Sequence, residues 1–183
     1  MTACDFFTIE LMTGRKLIRC TVFFIIDFST RKVFFVPIKL QPDGNYMRQV
    51  ARIITDCENG FLKDKRYLIH DRDPLYRSEG FHDILQSSGV EPIRLPAKSP
   101  DLNSIAERFV KSVKYECLNY LILSSVKQLE YALNEYQQYY HHERIHQSLG
   151  RIIEPKHEID ESSEIQCVER LGGLLKSYHR LAA

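Results

Sequence analysis

The 183-residue chain is long enough to bury a full hydrophobic core, and with 44% hydrophobic residues, 27% charged residues, ten Phe and ten Tyr it is too apolar for disorder. Its longest apolar block, Thr21 to Ile26, falls far short of the ~20 residues that cross a bilayer, and no charged-then-apolar leader opens the chain, so neither a membrane span nor secretion is expected. A net charge of +1 excludes a uniformly basic surface, leaving only a local patch with which to meet nucleic acid.

Phe6, Thr8 and Glu10 alternate with Phe7, Ile9 and Leu11 ahead of Thr13-Gly14, which predicts a first strand and a hairpin turn. Leu17 to Phe28 carries TVFFII, the unbroken apolar run of a central strand buried on both faces, and Ser29-Thr30 turns the chain into a third strand, Lys32 to Leu40. After the helix-start signal Pro42-Asp43-Gly44-Asn45, the residues Met47, Val50, Ala51, Ile54 and Cys57 recur at helical spacing, predicting about four turns closed by Asn59-Gly60. Arg66 to His70 predicts a short fourth strand, Glu79 to Ser88 a second helix closed by Gly89, and Ile93 and Leu95 a brief fifth strand. Past the Pro-rich loop Leu95 to Leu102, two long helices are expected, Ser104 to Tyr120 and Ser125 to His142. Each opens on a capping-box pattern, Ser104-x-x-Glu107 and Ser125-x-x-Gln128. Val126, Leu129, Leu133, Tyr136 and Tyr140 make an apolar stripe on the second of them that reads as core packing, with a subunit contact as the alternative.

A strand meander followed by alternating strands and helices predicts an α/β fold with a mixed sheet covered by helices. Arg151 to Arg170, with six acids against three bases, reads as an exposed linker and Leu171 to Ala183 as a basic tail, which divides the chain into a core over 1–150 and an appendage over 151–183. Cys4, Cys20, Cys57, Cys117 and Cys167 are scattered, odd in number and without a CxxC pair or a histidine at zinc-ligand spacing; reduced thiols in the cytoplasm are expected.

Three acids stand where such a fold would gather them: Asp5 within the first strand, Asp71 just past the fourth, and Glu107 in the first turns of the helix after the Pro-rich loop. Asp is depleted in strands, and burying Asp5 beside Phe6 and Phe7 without a partner would cost several kcal/mol. Each acid also has a purely structural explanation. Asp5 could lie at an exposed strand end or in a salt bridge, Asp71 and Asp73 could build a turn before Pro74 with Arg72 as partner, and Glu107 could complete the cap behind Ser104. Asp27 in IIDFST and Asp101 read as turn and loop acids rather than ligands. The triple, more than any one acid, points to function.

Thirty-five residues separate Asp71 from Glu107. With that spacing and the segments CDFFTIE, HDRDPLY, NSIAERFVKSVKYECL and YHHERIHQSL, the chain resembles the retroviral-integrase superfamily, including bacterial insertion-sequence transposases, over roughly Ala3 to Leu149 and more weakly in ERLGGLLKSYHR. The resemblance implies an RNase H-like fold, a mixed five-stranded sheet flanked by helices, and a catalytic triad of Asp5, Asp71 and Glu107. Phosphodiester transfer by two divalent ions about 3.5–4 Å apart requires hard carboxylates converging on one point. By resemblance Asp5 would bridge two Mg²⁺ or Mn²⁺ ions, Asp71 would bind one and Glu107 the other, with water or a DNA 3′-hydroxyl attacking and no covalent protein intermediate. Asp73 departs from the small residue many relatives carry, but measured from Asp73 the interval falls to thirty-three, which favours Asp71.

Lys111 and Lys114 follow Glu107 by four and seven positions and share its helix face, where they would meet phosphates flanking the scissile bond, whereas Arg108 points elsewhere. His141, His142 and His146 suit packing or DNA-backbone contact better than a metal. The implied partners are DNA, as element ends and target, and further copies of the chain assembled on that DNA. Because no helix-turn-helix or zinc pattern precedes Ala3, a missing N-terminal domain or a separate protein is expected to recognise the ends. Two other readings share the same residues: a stand-alone RNase H-like nuclease using only water, and an inactive remnant that merely binds DNA. The thirty-five-residue spacing argues against the first and three intact acids against the second.

Overall fold

Alternation along the first two strands builds the sheet. In the computed structural model, which describes residues 1–96, 103–155 and 164–180, β1 (Thr2–Thr13) and β2 (Lys16–Asp27) pair antiparallel from Thr13↔Lys16 to Thr2↔Asp27. Gly14 supplies the left-handed turn between them, with φ of 62°. β3 (Val33–Phe35) adds antiparallel to β2; β4 (Tyr67–His70) runs parallel to β1, and β5 (Glu91–Arg94) parallel to β4. The order β3-β2-β1-β4-β5 is the expected mixed five-stranded sheet; β2 is an interior strand, with β1 at the centre.

Helices cover both faces. Cys4 on β1 and Phe23 and Ile25 on β2 pack against Met47, Val50 and Ile54 of α1 (Gly44–Ile54) and Phe81 and Leu85 of α2 (Phe81–Ser87). Ala3, Phe7 and Leu11, one residue out of phase with Cys4, face α3 (Ser104–Glu116) and α4 (Val126–His142) through Phe109, Val113, Leu133 and Tyr136. Asp5 shares the parity of Ala3 and Phe7, so the strand's own period points it toward α3. Phe109 is the centre of that layer, with ring centroids 5.0 Å from Phe24, 5.8 Å from Phe35 and 5.1 Å from Tyr140. Phe109→Ala is expected to cost about 3–5 kcal/mol, read as a lowered midpoint in urea unfolding with an unchanged slope.

Helix ends differ from expectation in instructive ways. Asp43 caps α1 by accepting from the Tyr46 N–H at 2.8 Å, but the helix stops at Ile54, leaving Cys57 outside it and exposed. The chain is drawn into a tight turn there by Gly60, where a Cβ would lie 2.4 Å from the Asp56 carbonyl oxygen. Ser125 caps α4 as expected, accepting from the Gln128 N–H at 3.2 Å, while the Gln128 carboxamide oxygen accepts from the N–H of Ser124 at 2.8 Å. At α3 the capping box centred on Ser104 does not form: Ser104 is the first helical residue and Asn103 the cap, its side chain turned away from the helix backbone. The helix ends at Glu116, and a short 3₁₀ turn, Leu118–Tyr120, completes the stretch expected as helix.

The segment read as exposed linker and tail contains a hairpin, β6 (Ile165–Arg170) with β7 (Leu175–Arg180). Leu175 is buried, and Arg170 donates to Glu143 at 2.6 Å and to Glu135 at 3.0 Å, both on or just past α4. Long-range ion pairs thus dock strands that bury little apolar surface.

α4 also closes the outer edge of the sheet. Going along that edge, the Val33 N–H donates to His141 Nε2 at 2.9 Å, the Phe35 N–H to Gln137 Oε1 at 3.3 Å, and the Ile38 N–H to Glu130 Oε1 at 3.3 Å. Backbone donors that a free edge strand would present to water, or to another chain, are satisfied by one helix.

Candidate active site

The parallel register of β1 and β4 pairs Ala3 with Ile69; two residues further on lie Asp5, within β1, and Asp71, the first residue past β4. Asp5 is mostly buried. Its Oδ1 accepts from the Phe6 N–H at 2.7 Å and its Oδ2 from the Asn103 amide at 3.2 Å. Neither structural explanation applies to it: it is not at an exposed strand end, and among the described residues it makes no salt bridge. Burial pushes its carboxyl up to about 6; the Phe6 N–H pulls the other way, and the charges of Asp71, Glu107 and Asp73 add to the rise. The three other acids are therefore close enough to act on Asp5.

Asp71 and Asp73 separate by role. Asp71 Oδ1 accepts from the Asp73 N–H at 2.9 Å, and Asp73 Oδ1 accepts from the Leu75 N–H at 2.8 Å, which caps the 3₁₀ turn Pro74–Arg77. Arg72 pairs with neither acid, donating instead to the Leu95 carbonyl at 3.0 Å. Behind Asp71, the buried His70 lies 4.6 Å from the Tyr76 ring, its Nδ1 donating to the Asp71 carbonyl at 2.7 Å. Burial holds His70 below its ordinary value, so this wall is neutral. Glu107 is exposed in the first turn of α3. Lys111, one turn on, is exposed too, and Lys114 places its ammonium 5.7 Å from the centroid of the Phe7 ring, two residues along β1 from Asp5.

Asn103 escaped the reading of the sequence. It stands at the cap position of α3, but its amide is given to Asp5 across 98 residues of chain, and its Oδ1 is buried without a partner. Asp27 is a turn acid as expected: burial raises it, yet Lys65 and Ser29 more than compensate and hold it at about 2. Asp101 and most of the Pro-rich loop lie outside the described residues.

Among the described residues, one set of three potential metal ligands lies within 4.8 Å of one another, namely His141, His142 and Glu154, rather than the three acids. A single ion would need that tightness. Two ions about 3.5–4 Å apart, with ligands at about 2.0–2.1 Å from each, are served by carboxylates spread up to about 8 Å. The histidine set is already committed. With His141 Nε2 accepting from Val33, the ring proton sits on Nδ1 and no lone pair remains; His142 Nδ1 donates to the Glu154 carbonyl at 2.7 Å, and the Glu154 carboxylate pairs with Lys32. His146 Nε2 donates to the Tyr140 carbonyl at 2.8 Å. These histidines are packing groups. Burial holds His141 down at about 4 against an ordinary 6.5, so its contribution to stability is complete above pH 6.5 and is lost as pH falls toward 4. The loss should reach about 3 kcal/mol, and His141→Gln should flatten that part of the profile in urea unfolding between pH 7.5 and 4.5.

Arg144 clamps the same region. Its guanidinium meets Glu116 in a fork, Nε to Oε2 at 2.8 Å and Nη2 to Oε1 at 2.7 Å, and the Tyr136 hydroxyl donates to Oε2 at 3.0 Å, tying the end of α3 to the end of α4.

The family model for the integrase core domain matches residues 88–153. An uncharacterised transposase-like protein of Haemophilus influenzae is 29% identical over 97 residues, 53% of this chain and 45% of that protein, so the chain spans under half the length of this curated relative. The fold is similar to that of the HTLV-2 integrase catalytic core domain solved in complex with magnesium (TM-score 0.59, 12% identity, 83% of this chain and 91% of that one). It is also similar to a chain in the structure of the simian T-cell lymphotropic virus intasome in complex with the PP2A regulatory subunit B56 gamma (TM-score 0.61, 14% identity, 97% of this chain and 65% of that one). No described helix is long and apolar enough to cross a membrane. The order of five strands with helices on both faces is thus an RNase H-like fold similar to that of retroviral integrase catalytic cores, and residues 88–153 within it match the integrase core domain.

Proposed function

We propose that this core cuts and joins DNA by metal-dependent phosphodiester hydrolysis and strand transfer, with Asp5, Asp71 and Glu107 as the ligands of two Mg²⁺ or Mn²⁺ ions. The observation that carries the reading is Asp5 itself: a carboxylate raised first by burial and further by the neighbouring acids, and without a salt bridge among the described residues, is a site that a hard divalent cation would compensate. When bound, the ions activate the attacking oxygen and stabilise the leaving one. The chain's own groups do the rest. The Phe6 N–H and the Asn103 amide fix the two oxygens of Asp5, the Asp73 N–H fixes Asp71, and the His70–Tyr76 wall keeps water from the rear of the site. That similar cores are solved with magnesium and within an intasome supports extending the reading to DNA ends and target as substrates and to assembly of several copies on DNA. On the same reading, residues 1–150 form the catalytic core and 151–183 an appendage.

The test is incubation of the protein with Mn²⁺ or Mg²⁺ and labelled pre-cut DNA ends. Strand-transfer products from the wild type, absent for Glu107→Gln, are expected. Hydrolysis without joining would favour a nuclease, and DNA binding without either reaction an inactive remnant. Binding itself should be weak and indifferent to sequence, because Lys111 and Lys114 would reach phosphates and not base edges. A Lys111→Ala, Lys114→Ala double variant should lower affinity alike for unrelated duplexes and reduce its salt dependence. Discrimination of one sequence by more than roughly a thousandfold would oppose this part of the reading.

A further inference from the structure

The face of α3 beside the Glu107 stripe holds a second feature. Ser104, Arg108 and Ser112, spaced by four, line a cavity of about 210 Å³ that is floored by Ile26, Phe109 and Tyr140. Its far wall comes from two loops, Arg31 after β2 and the segment from Arg144 to Ser148 after α4. Three arginines border it, and none of its lining residues is acidic.

The three arginines differ in how they are held. Arg144 is committed to Glu116. Arg108 is exposed and makes no ion pair among the described residues. Arg31 has a buried Nη1 without a hydrogen-bond partner, and its backbone is left-handed at φ 62°, a conformation that favours glycine. An unpaired guanidinium donor and a strained backbone at one residue are poor for stability alone; such strain persists where it positions a group for a ligand.

The space is below the roughly 300–1,000 Å³ typical of pockets for drug-sized molecules. Arginine forks with serine hydroxyls between them are the donor set of a compact tetrahedral oxyanion. Arg108 follows Glu107 directly, so at 3.6 residues per turn its stripe lies about 100° round the helix from Glu107, Lys111 and Lys114. A strand crossing α3 from the acids would pass over it.

We propose that this pocket seats one backbone phosphate of the DNA strand crossing α3, as a clamp separate from the metal ligands. The inference rests on the reading of the chain as a DNA-processing core. Its chemistry would also admit free inorganic phosphate, and the experiment distinguishes the two.

Binding of the full chain to a labelled duplex is followed by fluorescence anisotropy in EDTA across a salt series, for the wild type, Arg108→Gln, Arg31→Gln with Arg108→Gln, and Arg52→Gln. Arg52 is an exposed control on α1, across the sheet. Loss of one phosphate contact should reduce the slope of log affinity against log salt by about 0.9 and the affinity itself about tenfold at low salt in the double variant. Arg52→Gln should leave both unchanged. Arg108→Gln, at an exposed position, should match the wild type in thermal unfolding and still show part of the loss, so a misfolded double variant would not blunt the test. Variants that bind like Arg52→Gln overturn the proposal. So does a pocket that only inorganic phosphate fills, seen as phosphate raising the wild-type Tm while DNA binding ignores the substitutions. If the wild type binds no DNA, the underlying reading falls as well; if strand transfer depends on the acids while the arginine variants bind normally, the pocket alone falls.

Discussion

Asp71→Asn is expected to abolish metal-dependent cleavage and strand transfer, with a fall on the order of a thousandfold or more, whereas Asp73→Asn should stay within about tenfold of the wild type. A ligand to catalytic ions contributes several kcal/mol of charge stabilisation in the transition state, at about 1.4 kcal/mol per decade of rate. Asp73 instead caps the 3₁₀ turn through Leu75, and asparagine caps about as well as aspartate, so its amide replacement is close to neutral. Asp73→Ala should cost about 1 kcal/mol of stability through loss of the cap. Single-turnover cleavage of a labelled end by the three variants, beside urea unfolding, checks the assignment. The reverse ranking of the two asparagine variants would move the metal ligand to Asp73.

Asp5→Asn should inactivate the core and stabilise it. The Asp5 carboxyl, ordinarily at 3.8, is raised to about 6 in the fold, so the native chain binds the proton more tightly than the unfolded one. Stability is undiminished below about pH 3.8, declines as pH rises from there to 6, and carries the whole penalty above it, up to about 3 kcal/mol. Asparagine removes the charge while still accepting from the Phe6 N–H. In EDTA at pH 7.5 the variant should therefore melt about 5–10 °C above the wild type, and near pH 4 the two should coincide. Saturating Mg²⁺ should narrow the gap by raising the wild type alone, by about 2.7 kcal/mol at a hundred times Kd. A variant that melts below the wild type at pH 7.5 would mean that the carboxylate holds the fold together.

Much of this could be read from period and punctuation. Strict alternation in β1 and the apolar run of β2 determine the sheet's centre, and Ser125 with Gln128 marks the start of α4 correctly. The failures lie where distant chain overrides local chemistry. Ser104-x-x-Glu107 has the form of a capping box, but Asn103 lies against Asp5, 98 residues away, and the helix begins one residue earlier than the local signal says. In the same way β6 and β7 carry mostly exposed, charged residues, and what holds them is Arg170 against Glu135 and Glu143. Gly172-Gly173, both at positive φ between two alternating stretches, was the available sign of a hairpin. Of the candidate site, the carboxylates were visible through order and spacing, while Asn103 and the arginine pocket arise only when strands, helix and loops are stacked.

The way α4 shuts the β3 edge also bears on how copies of this core can meet. With His141, Gln137 and Glu130 occupying the row of N–H groups from Val33 to Ile38, two molecules cannot continue one sheet into the next along that side, and an assembly has to be made through helix faces or loops. The seal is only as good as its acceptors. A protonated imidazole accepts nothing, so once acid forces a proton onto His141 the Val33 end of the row opens, and β3 becomes a template for another extended chain. Acid exposure of this core should therefore lead to edge-to-edge aggregation before it leads to a dispersed unfolded state.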